Sequence, residues 1–170
     1  MFHRSERLLL RPIWPEDWQA VYEGINDEGI IRNLARAPWP YAPEEARRFT
    51  ALPIAAHAPR FLITIADTSE VIGCIGLDLC DDPDALELGY WVARPHWGQG
   101  FVTEAGRAAI SLAKMMGKAR MNAGHFIDNP ASGRVLEKLG FVRLPNITQR
   151  HSRGRGESAA SVEYTLQLNA

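Results

Sequence analysis

The sequence predicts a mixed α/β domain whose sheet is antiparallel in its first half and contains a strand–helix–strand unit in its second half. Three observations predict this fold. Residues 61–92 hold three short apolar runs separated by polar turns. Residues 100–117 place apolar side chains at helical spacing, and another apolar run follows. The chain has 170 residues, 46% hydrophobic and 23% charged, which suits one domain with a full core, so we expect a single domain over residues 1–170.

The first third of the chain predicts one strand and two helices. Residues 7–12 form a strand that Pro12 ends, because proline has no N–H to donate to a neighbouring strand. A helix begins at Pro15, since apolar residues follow at helical spacing. Residues 35–43 contain three prolines and form a loop, and residues 44–56 form a second helix.

The middle of the chain predicts three strands. Residues 61–66, 71–79 and 86–92 are rich in residues that fit a pleated surface. The polar segments 67–70 and 81–84 between them have the composition of turns. Because these connections are short, we expect the three strands to be antiparallel neighbours.

The last part of the chain alternates helices and strands. A helix follows Gly100, and residues 120–126 form the next strand. A second helix opens at Pro130. Residues 141–147 and 161–168 look like a closing pair of strands, separated by a polar loop at residues 152–159. The prediction totals about seven strands and four helices.

Charge and apolar patterning argue against two classes of partner. The formal net charge is −1, so the overall balance favours neither nucleic acid nor an anionic membrane. Arginines are more frequent near the end of the chain, at Arg143, Arg150, Arg153 and Arg155. We interpret this cluster as a solvated face. The first residues lack the apolar core of a signal peptide, and no later run is long enough to span a bilayer. We therefore expect a cytoplasmic protein.

The cysteines and histidines predict neither a disulfide nor a metal site. Cys74 and Cys80 do not form a Cys-x-x-Cys pair, which suits a reducing compartment. Both cysteines are interpreted as strand residues and not as nucleophiles. The five histidines are scattered, and none pair at metal-ligand spacing, so we expect no metal.

The loop before the long helix carries the strongest chemical signal. Residues 97–102 read Trp-Gly-Gln-Gly-Phe-Val and lead straight into the helix. A helix start presents unpaired N–H groups and the positive end of the helix dipole, and glycines let these amides approach a diphosphate. A Rossmann loop would need glycine at Thr103, and a Walker loop would need Gly-Lys-Ser/Thr. A plain strand-to-helix turn is the alternative for an isolated Gly-x-Gly.

This loop is not isolated, and the chain resembles the GNAT superfamily of N-acetyltransferases, in the branch typified by the ribosomal-protein acetyltransferases RimJ and RimL. The superfamily's phosphate loop is Arg/Gln-x-x-Gly-x-Gly/Ala, and Val102 stands here in place of the final small residue. The other segments that carry the resemblance, in matching order and spacing, are residues 5–12, 72–77, 87–91, 128–132 and 136–141.

The resemblance implies that acetyl-CoA is the co-substrate and that its acetyl group passes directly to a primary amine in a ternary complex. The diphosphate would bind backbone amides of the phosphate loop. The pantetheine arm would lie between the strands at residues 87–92 and 120–126, where backbone N–H groups stabilise the oxyanion. The cofactor-binding residues implied are Trp91, Val92, Trp97, Gly98, Gln99, Gly100, Phe101, Val102, Thr103 and Asn129.

The resemblance also suggests two catalytic residues. Glu87 is the candidate general base, acting through a water, and its alternative is an exposed position on the polar face of the strand. Ser132 is the candidate donor to the departing thiolate, and its alternative is to satisfy backbone groups in the first turn of a helix. Tyr90 is a rival donor or packs within the sheet. Asn129 is expected to cap the helix and also contacts the pantetheine arm in relatives.

Two further aromatic positions flank these segments. Tyr41 and its neighbours lie in the loop that borders the acceptor site in this fold, where they contact the acceptor or only anchor a lid. His96 flanks the phosphate loop and either aids anion binding or faces solvent.

The acceptor stays open at this point. It is a protein N-terminus or a small amine such as an antibiotic or a polyamine, because a fold does not choose an acceptor. Two other functions compete with catalysis: a non-catalytic acyl-CoA-binding regulatory module, and a nucleic-acid-binding accessory that uses the late arginines. A homodimer is compatible with the resemblance, although no self-complementary patch in the sequence requires one.

Overall fold

A computed structural model describes residues 2–168, which contain eight strands and five helices. The strands are β1 (His3–Arg4), β2 (Leu8–Arg11), β3 (Arg60–Ile65), β4 (Val71–Leu79), β5 (Ala85–Val92), β6 (Arg120–Phe126), β7 (Val142–Ser152) and β8 (Glu157–Gln167). The helices are α1 (Trp18–Ile25), α2 (Glu28–Ile31), α3 (Pro43–Thr50), α4 (Phe101–Met115) and α5 (Pro130–Lys138).

All eight strands form one sheet in the order β1-β2-β3-β4-β5-β6-β8-β7. Successive strands from β1 to β5 pair antiparallel, and so do β6 with β8 and β8 with β7. Strands β5 and β6 pair in parallel, with α4 as the crossover that a parallel pair needs. The predicted fold class, antiparallel first and strand–helix–strand later, is confirmed.

Strands β5 and β6 separate soon after they meet. Their pairing covers three residues on each strand and ends with Glu87 opposite Asn122. Strand β5 then continues to Val92 and β6 to Phe126 without pairing to each other within the described residues. A gap therefore opens in the middle of the sheet, beside the start of α4.

The sheet has an apolar core on each face. One core packs the sheet against α4 and α5, and the other packs it against α1 and α3. Strand β5 contributes to both because successive side chains point to opposite faces. Leu86 and Leu88 lie in the α4–α5 core, whereas Trp91 lies in the α1–α3 core. Glu87 therefore shares a face with Trp91.

The structure differs from the predicted elements at the short and exposed segments. Strand β1 and helix α2, two and four residues long, are too short to show a periodic pattern. Helix α3 ends at Thr50 instead of near residue 56, consistent with Pro53 following shortly after.

The closing hairpin is also longer than predicted. The expected loop at residues 152–159 is only a turn at residues 153–156, because β7 and β8 extend almost to each other. Strand β7 is an edge strand with exposed side chains over most of its length, so it lacks the apolar alternation that signals a strand.

We predict that Gly73→Ala lowers the free energy of unfolding by about 1–3 kcal/mol, as overpacking does. A Cβ on Gly73 would lie 2.3 Å from the main-chain oxygen of Trp91, so β4 and β5 would have to move apart. Gly89→Ala is the matched control, since its Cβ would meet nothing within 4 Å. Urea unfolding of both variants tests this, and equal midpoints for the two would contradict it.

Candidate active site

The phosphate loop presents main chain and not side chains. Gly98 and Gly100 have φ of 73° and 80°, in the left-handed region that favours glycine. A Cβ on Gly98 would meet nothing within 4 Å, so the surface beside it is open. Gly100 immediately precedes α4, whose first N–H groups, on Phe101, Val102 and Thr103, have no partner in the preceding turn. The loop therefore offers a row of donors to an anion.

The side chains of the loop hold it in shape. The Trp97 indole Nε1 donates to the Val92 carbonyl at 2.7 Å, and Gln99 Nε2 donates to the Pro95 carbonyl at 3.0 Å. The Arg94 guanidinium lies 4.6 Å from the centre of the Trp97 ring. Trp97 and Gln99 thus tie the loop to the end of β5 and to Pro95, and neither side chain bonds to an amide of the loop.

The gap between β5 and β6 is bordered by backbone donors of known direction. The Ala93 N–H donates to the Ile72 carbonyl at 2.8 Å, which fixes the alternation of the antiparallel β4–β5 pair. By that alternation the Trp91 N–H points towards β4, and the N–H groups of Tyr90 and Val92 point into the gap. Of the two oxyanion donors inferred from the sequence, the geometry therefore favours Val92, while Trp91 packs its indole into the α1–α3 core.

Glu87 lies where β5 and β6 begin to separate, and it is paired. Its carboxylate accepts from Arg150 Nη1, and Arg150 Nη2 lies 3.2 Å from Glu163 Oε2. Burial lowers the pKa of Arg150, but the bonds to the two carboxylates outweigh burial and raise that pKa above its usual value. The Glu87 side chain is 32% exposed, so it is partly buried but still accessible to water. Asp78 stands directly opposite Glu87 on β4.

Tyr90 and Ser132, expected as rivals, form one hydrogen-bonded pair. Their hydroxyl oxygens are 2.6 Å apart, and either hydroxyl can be the donor. Burial raises the pKa of Tyr90 to about 12, so the phenol keeps its proton at neutral pH. Tyr90 packs against the α4–α5 core, so this hydroxyl pair lies on the face of the sheet opposite Glu87.

The Glu87 cluster and the hydroxyl pair stand on two sides of the same gap. Residues 87 and 90 are three apart on β5, so their side chains point to opposite faces. A thioester placed in the gap would have carboxylates on one side and hydroxyl donors on the other. This arrangement can remove a proton from an incoming group on one side and donate to a leaving group on the other.

Asn129 occupies the N-cap position of α5, but its side chain makes no capping hydrogen bond. The predicted cap is wrong in this respect, because its ψ of 64° departs from the extended geometry of a side-chain cap. The neighbouring Asp128 is held instead by Arg155 at 2.7 Å and by Arg32 at 2.7 Å.

The solvated-face interpretation is wrong for Arg150 and Arg155, which are half-buried in intramolecular contacts, whereas Arg143 and Arg153 are exposed. Besides Arg150, the Arg155 Nε donates to the Arg32 carbonyl at 2.7 Å, and Arg153 donates to the Arg36 carbonyl at 3.1 Å. The β7–β8 turn is thereby docked onto the segment after α2. Sequence spacing gave no signal for these contacts, which join residues more than 100 positions apart.

Two aromatic positions pack more tightly than a surface role requires. Tyr41 is buried and stacks on Tyr22 with ring centres 6.4 Å apart, so it anchors its loop. His96 Nε2 lies 3.2 Å from Glu70 Oε1, and its ring meets the edge of Phe101. His96 therefore supports the phosphate loop from outside and does not stand free in solvent.

The described residues 2–168 show no cluster of three or more potential metal ligands. Within the same range, no helix combines the length and apolar character needed to cross a bilayer.

Comparisons with known proteins point to one family. A family model described as an acetyltransferase (GNAT) domain matches residues 7–142. The chain is 31% identical over 146 residues to the uncharacterised N-acetyltransferase YoaA of Bacillus subtilis, covering 82% of this chain and 81% of the relative. It is 27% identical over 146 residues to the ribosomal-protein-serine acetyltransferase of Escherichia coli, covering 81% and 80%. A GNAT-family acetyltransferase structure from Bacillus anthracis superposes with a TM-score of 0.86 at 24% identity, covering 99% of each chain.

The two thiols should react very differently in the folded protein. Burial raises the pKa of Cys74 to about 12, and burial also raises the pKa of the partly exposed Cys80. At pH 8 we expect a thiol-specific disulfide reagent to label Cys80 slowly and Cys74 only on unfolding, because the thiolate is the reactive form. Cys80→Ser should abolish labelling of the native protein. Rapid labelling of two thiols in the native protein would contradict the burial of Cys74.

Proposed function

The chain belongs to the GNAT acetyltransferase family, and from that premise we propose that it moves an acetyl group directly from acetyl-CoA to the primary amine of its acceptor. Family membership identifies the chain as an N-acetyltransferase that uses acetyl-CoA. The observation that supports direct transfer is the gap between β5 and β6, with carboxylates on one face and a hydroxyl pair on the other. Acceptor amine and thioester can meet there without a covalent acyl-enzyme.

Acetyl-CoA is proposed to extend from the phosphate loop into the gap. The diphosphate binds the amides of residues 98–103, which the two left-handed glycines leave accessible. The pantetheine arm adds to the free edge of β5, and the Val92 N–H polarises the thioester carbonyl. Asn129, whose side chain makes no capping bond, borders the arm from the start of α5.

Glu87 is proposed to accept the proton of the acceptor ammonium, directly or through a water. A primary amine has a pKa near ~10, so it arrives charged at neutral pH and must lose a proton before attack. The contact with Arg150 holds the carboxylate in place, and about a third of the Glu87 side chain stays open to a substrate or a water. In this role Arg150 orients the base and Glu163 orients Arg150.

The hydroxyl pair is proposed to protonate or hydrogen-bond the departing thiolate. Tyr90 and Ser132 are both protonated at neutral pH. One of the two protons lies in the hydrogen bond between the oxygens, and the other is available to a third group. Either Ser132 or Tyr90 can present that proton to the sulfur atom.

A protein N-terminal amine is the acceptor to test first, and small amines are the second candidate. The relative from Escherichia coli is named for a ribosomal protein, which supports this order. Acetylation of a short peptide panel and of a polyamine panel, followed by mass spectrometry, separates the two. Tight binding of acetyl-CoA without turnover of any amine would instead support a regulatory acyl-CoA-binding module.

We predict that Glu87→Gln lowers kcat by about 100-fold, the usual size of a general-base contribution. The amide keeps the shape of the side chain but cannot take a proton. Steady-state rates across a pH series with a verified acceptor measure this, and Glu157→Gln, an exposed change on β8, is the control. An unchanged pH profile and an unchanged kcat would show that Glu87 is not the base.

We predict that Ser132→Ala and Tyr90→Phe each lower kcat by about tenfold, the effect of losing one hydrogen bond to the departing sulfur. Because the two hydroxyls form one hydrogen-bonded unit, the kcat of the double variant should be close to the kcat of the less active single variant. Product formation at saturating acetyl-CoA measures all three. Fully multiplicative effects would show that the hydroxyls act separately.

A further inference from the structure

The segment just before β2 reaches across to the phosphate loop and to the first turn of α4. The Ser5 hydroxyl donates to Glu104 Oε1 at 2.6 Å, and the Arg7 main-chain N–H donates to the same oxygen at 2.8 Å. Arg7 Nε donates to Glu104 Oε2 at 2.8 Å. Ser5 and Arg7, which lie 99 and 97 positions before Glu104 in the sequence, thus contact the start of α4.

The Arg7 side chain also contacts the loop itself. Its Nη1 donates to the Gln99 carbonyl at 3.0 Å, and its guanidinium lies 4.4 Å from the centre of the Phe101 ring. Two of the three guanidinium nitrogens, Nε and Nη1, are therefore held by partners, which sets the direction of Nη2. Within residues 2–168, Nη2 has no hydrogen-bond partner, and it would lie 3.6 Å from a Cβ placed on Gly100.

The charge balance at this point calls for a cation. Glu104 lies in the first turn of α4, where an uncompensated carboxylate would repel a bound diphosphate. Burial raises the pKa of Glu104, but the bonds from Ser5 and Arg7 outweigh burial and keep that pKa below its usual value. The ionised carboxylate is turned towards the Arg7 segment, and the Arg7 side chain, 44% exposed, lies beside Gly100.

We propose that Arg7 is a binding residue for coenzyme A, with Nη2 donating to the diphosphate beside Gly100. This inference rests on the proposed position of the diphosphate at the phosphate loop. It adds a side-chain cation, from a segment more than 90 residues away, to a site otherwise made of main-chain amides. It also assigns a role to the Ser-Glu-Arg segment, which lies outside the loop motif.

Calorimetric titration with coenzyme A and with 3′-dephospho-coenzyme A tests the assignment. For Arg7→Gln we expect binding of both ligands to weaken by about tenfold, the effect of losing one charge-assisted hydrogen bond. Arg7→Lys keeps the positive charge but not the planar set of guanidinium donors, so it should recover part of the lost affinity. Arg4→Gln, an exposed change of the same charge in the same segment, should bind within about twofold of the unaltered protein, a change of surface charge alone. At saturating acceptor, the KM of Arg7→Gln for acetyl-CoA should rise by about tenfold, the same factor as the loss of binding.

Each contrary result has a separate meaning. A loss confined to coenzyme A would show that Arg7 meets the 3′-phosphate, and it would overturn the diphosphate contact. Unchanged binding by Arg7→Gln would overturn any role in binding. Failure of the unaltered protein to bind either ligand would overturn the position of the cofactor itself, and Arg7 with it.

Discussion

The separation of β5 from β6 is the constraint on which the rest of the site depends. A parallel pair needs a crossover helix, and here that helix starts immediately beyond the end of β5. The strands pair for three residues and then diverge, so the helix start, the free edge of β5 and the open sheet lie side by side. A continuous ladder would use the same N–H groups to bind β6. The proposed cofactor site thus uses backbone N–H groups of β5 that do not pair with β6.

Strand β5 also distributes the chemistry between the two faces of the sheet. Its alternation sends Leu86, Leu88 and Tyr90 to one side and Glu87 to the other. The apolar residues anchor the strand in the α4–α5 core, so the polar ones keep fixed directions. Electrostatic preorganisation of this kind costs no rearrangement when charge develops. The same residues that stabilise the fold therefore orient the proposed base and hydroxyl pair.

Sequence reasoning predicted the parts of this protein that follow local rules. The fold class, the three central strands and the turn before α4 follow from apolar spacing and from glycine positions such as Gly100. Contacts between distant segments could not be predicted this way, because no spacing rule links Arg150 to Glu87 or Arg7 to Gln99. The hydrogen bond between Tyr90 and Ser132 depends on how α5 packs against the sheet, which the sequence alone does not show. Side-chain geometry decided the remaining cases, as at Asn129, where the residue type suits a cap but the backbone angle does not.

The contacts of the β7–β8 turn determine which nearby residues can be substituted during evolution without changing the fold. Main-chain carbonyls in residues 32–36 accept hydrogen bonds from donors of the turn on Ser152, Arg153 and Arg155. A carbonyl is present whatever side chain the residue carries. The Arg36 side chain reaches Asp78 beside the proposed base, and it can be exchanged without removing the carbonyl that accepts from Arg153. Under the proposed function, acceptor preference can therefore change at residue 36 while the loop before α4 and the gap between β5 and β6 stay as they are.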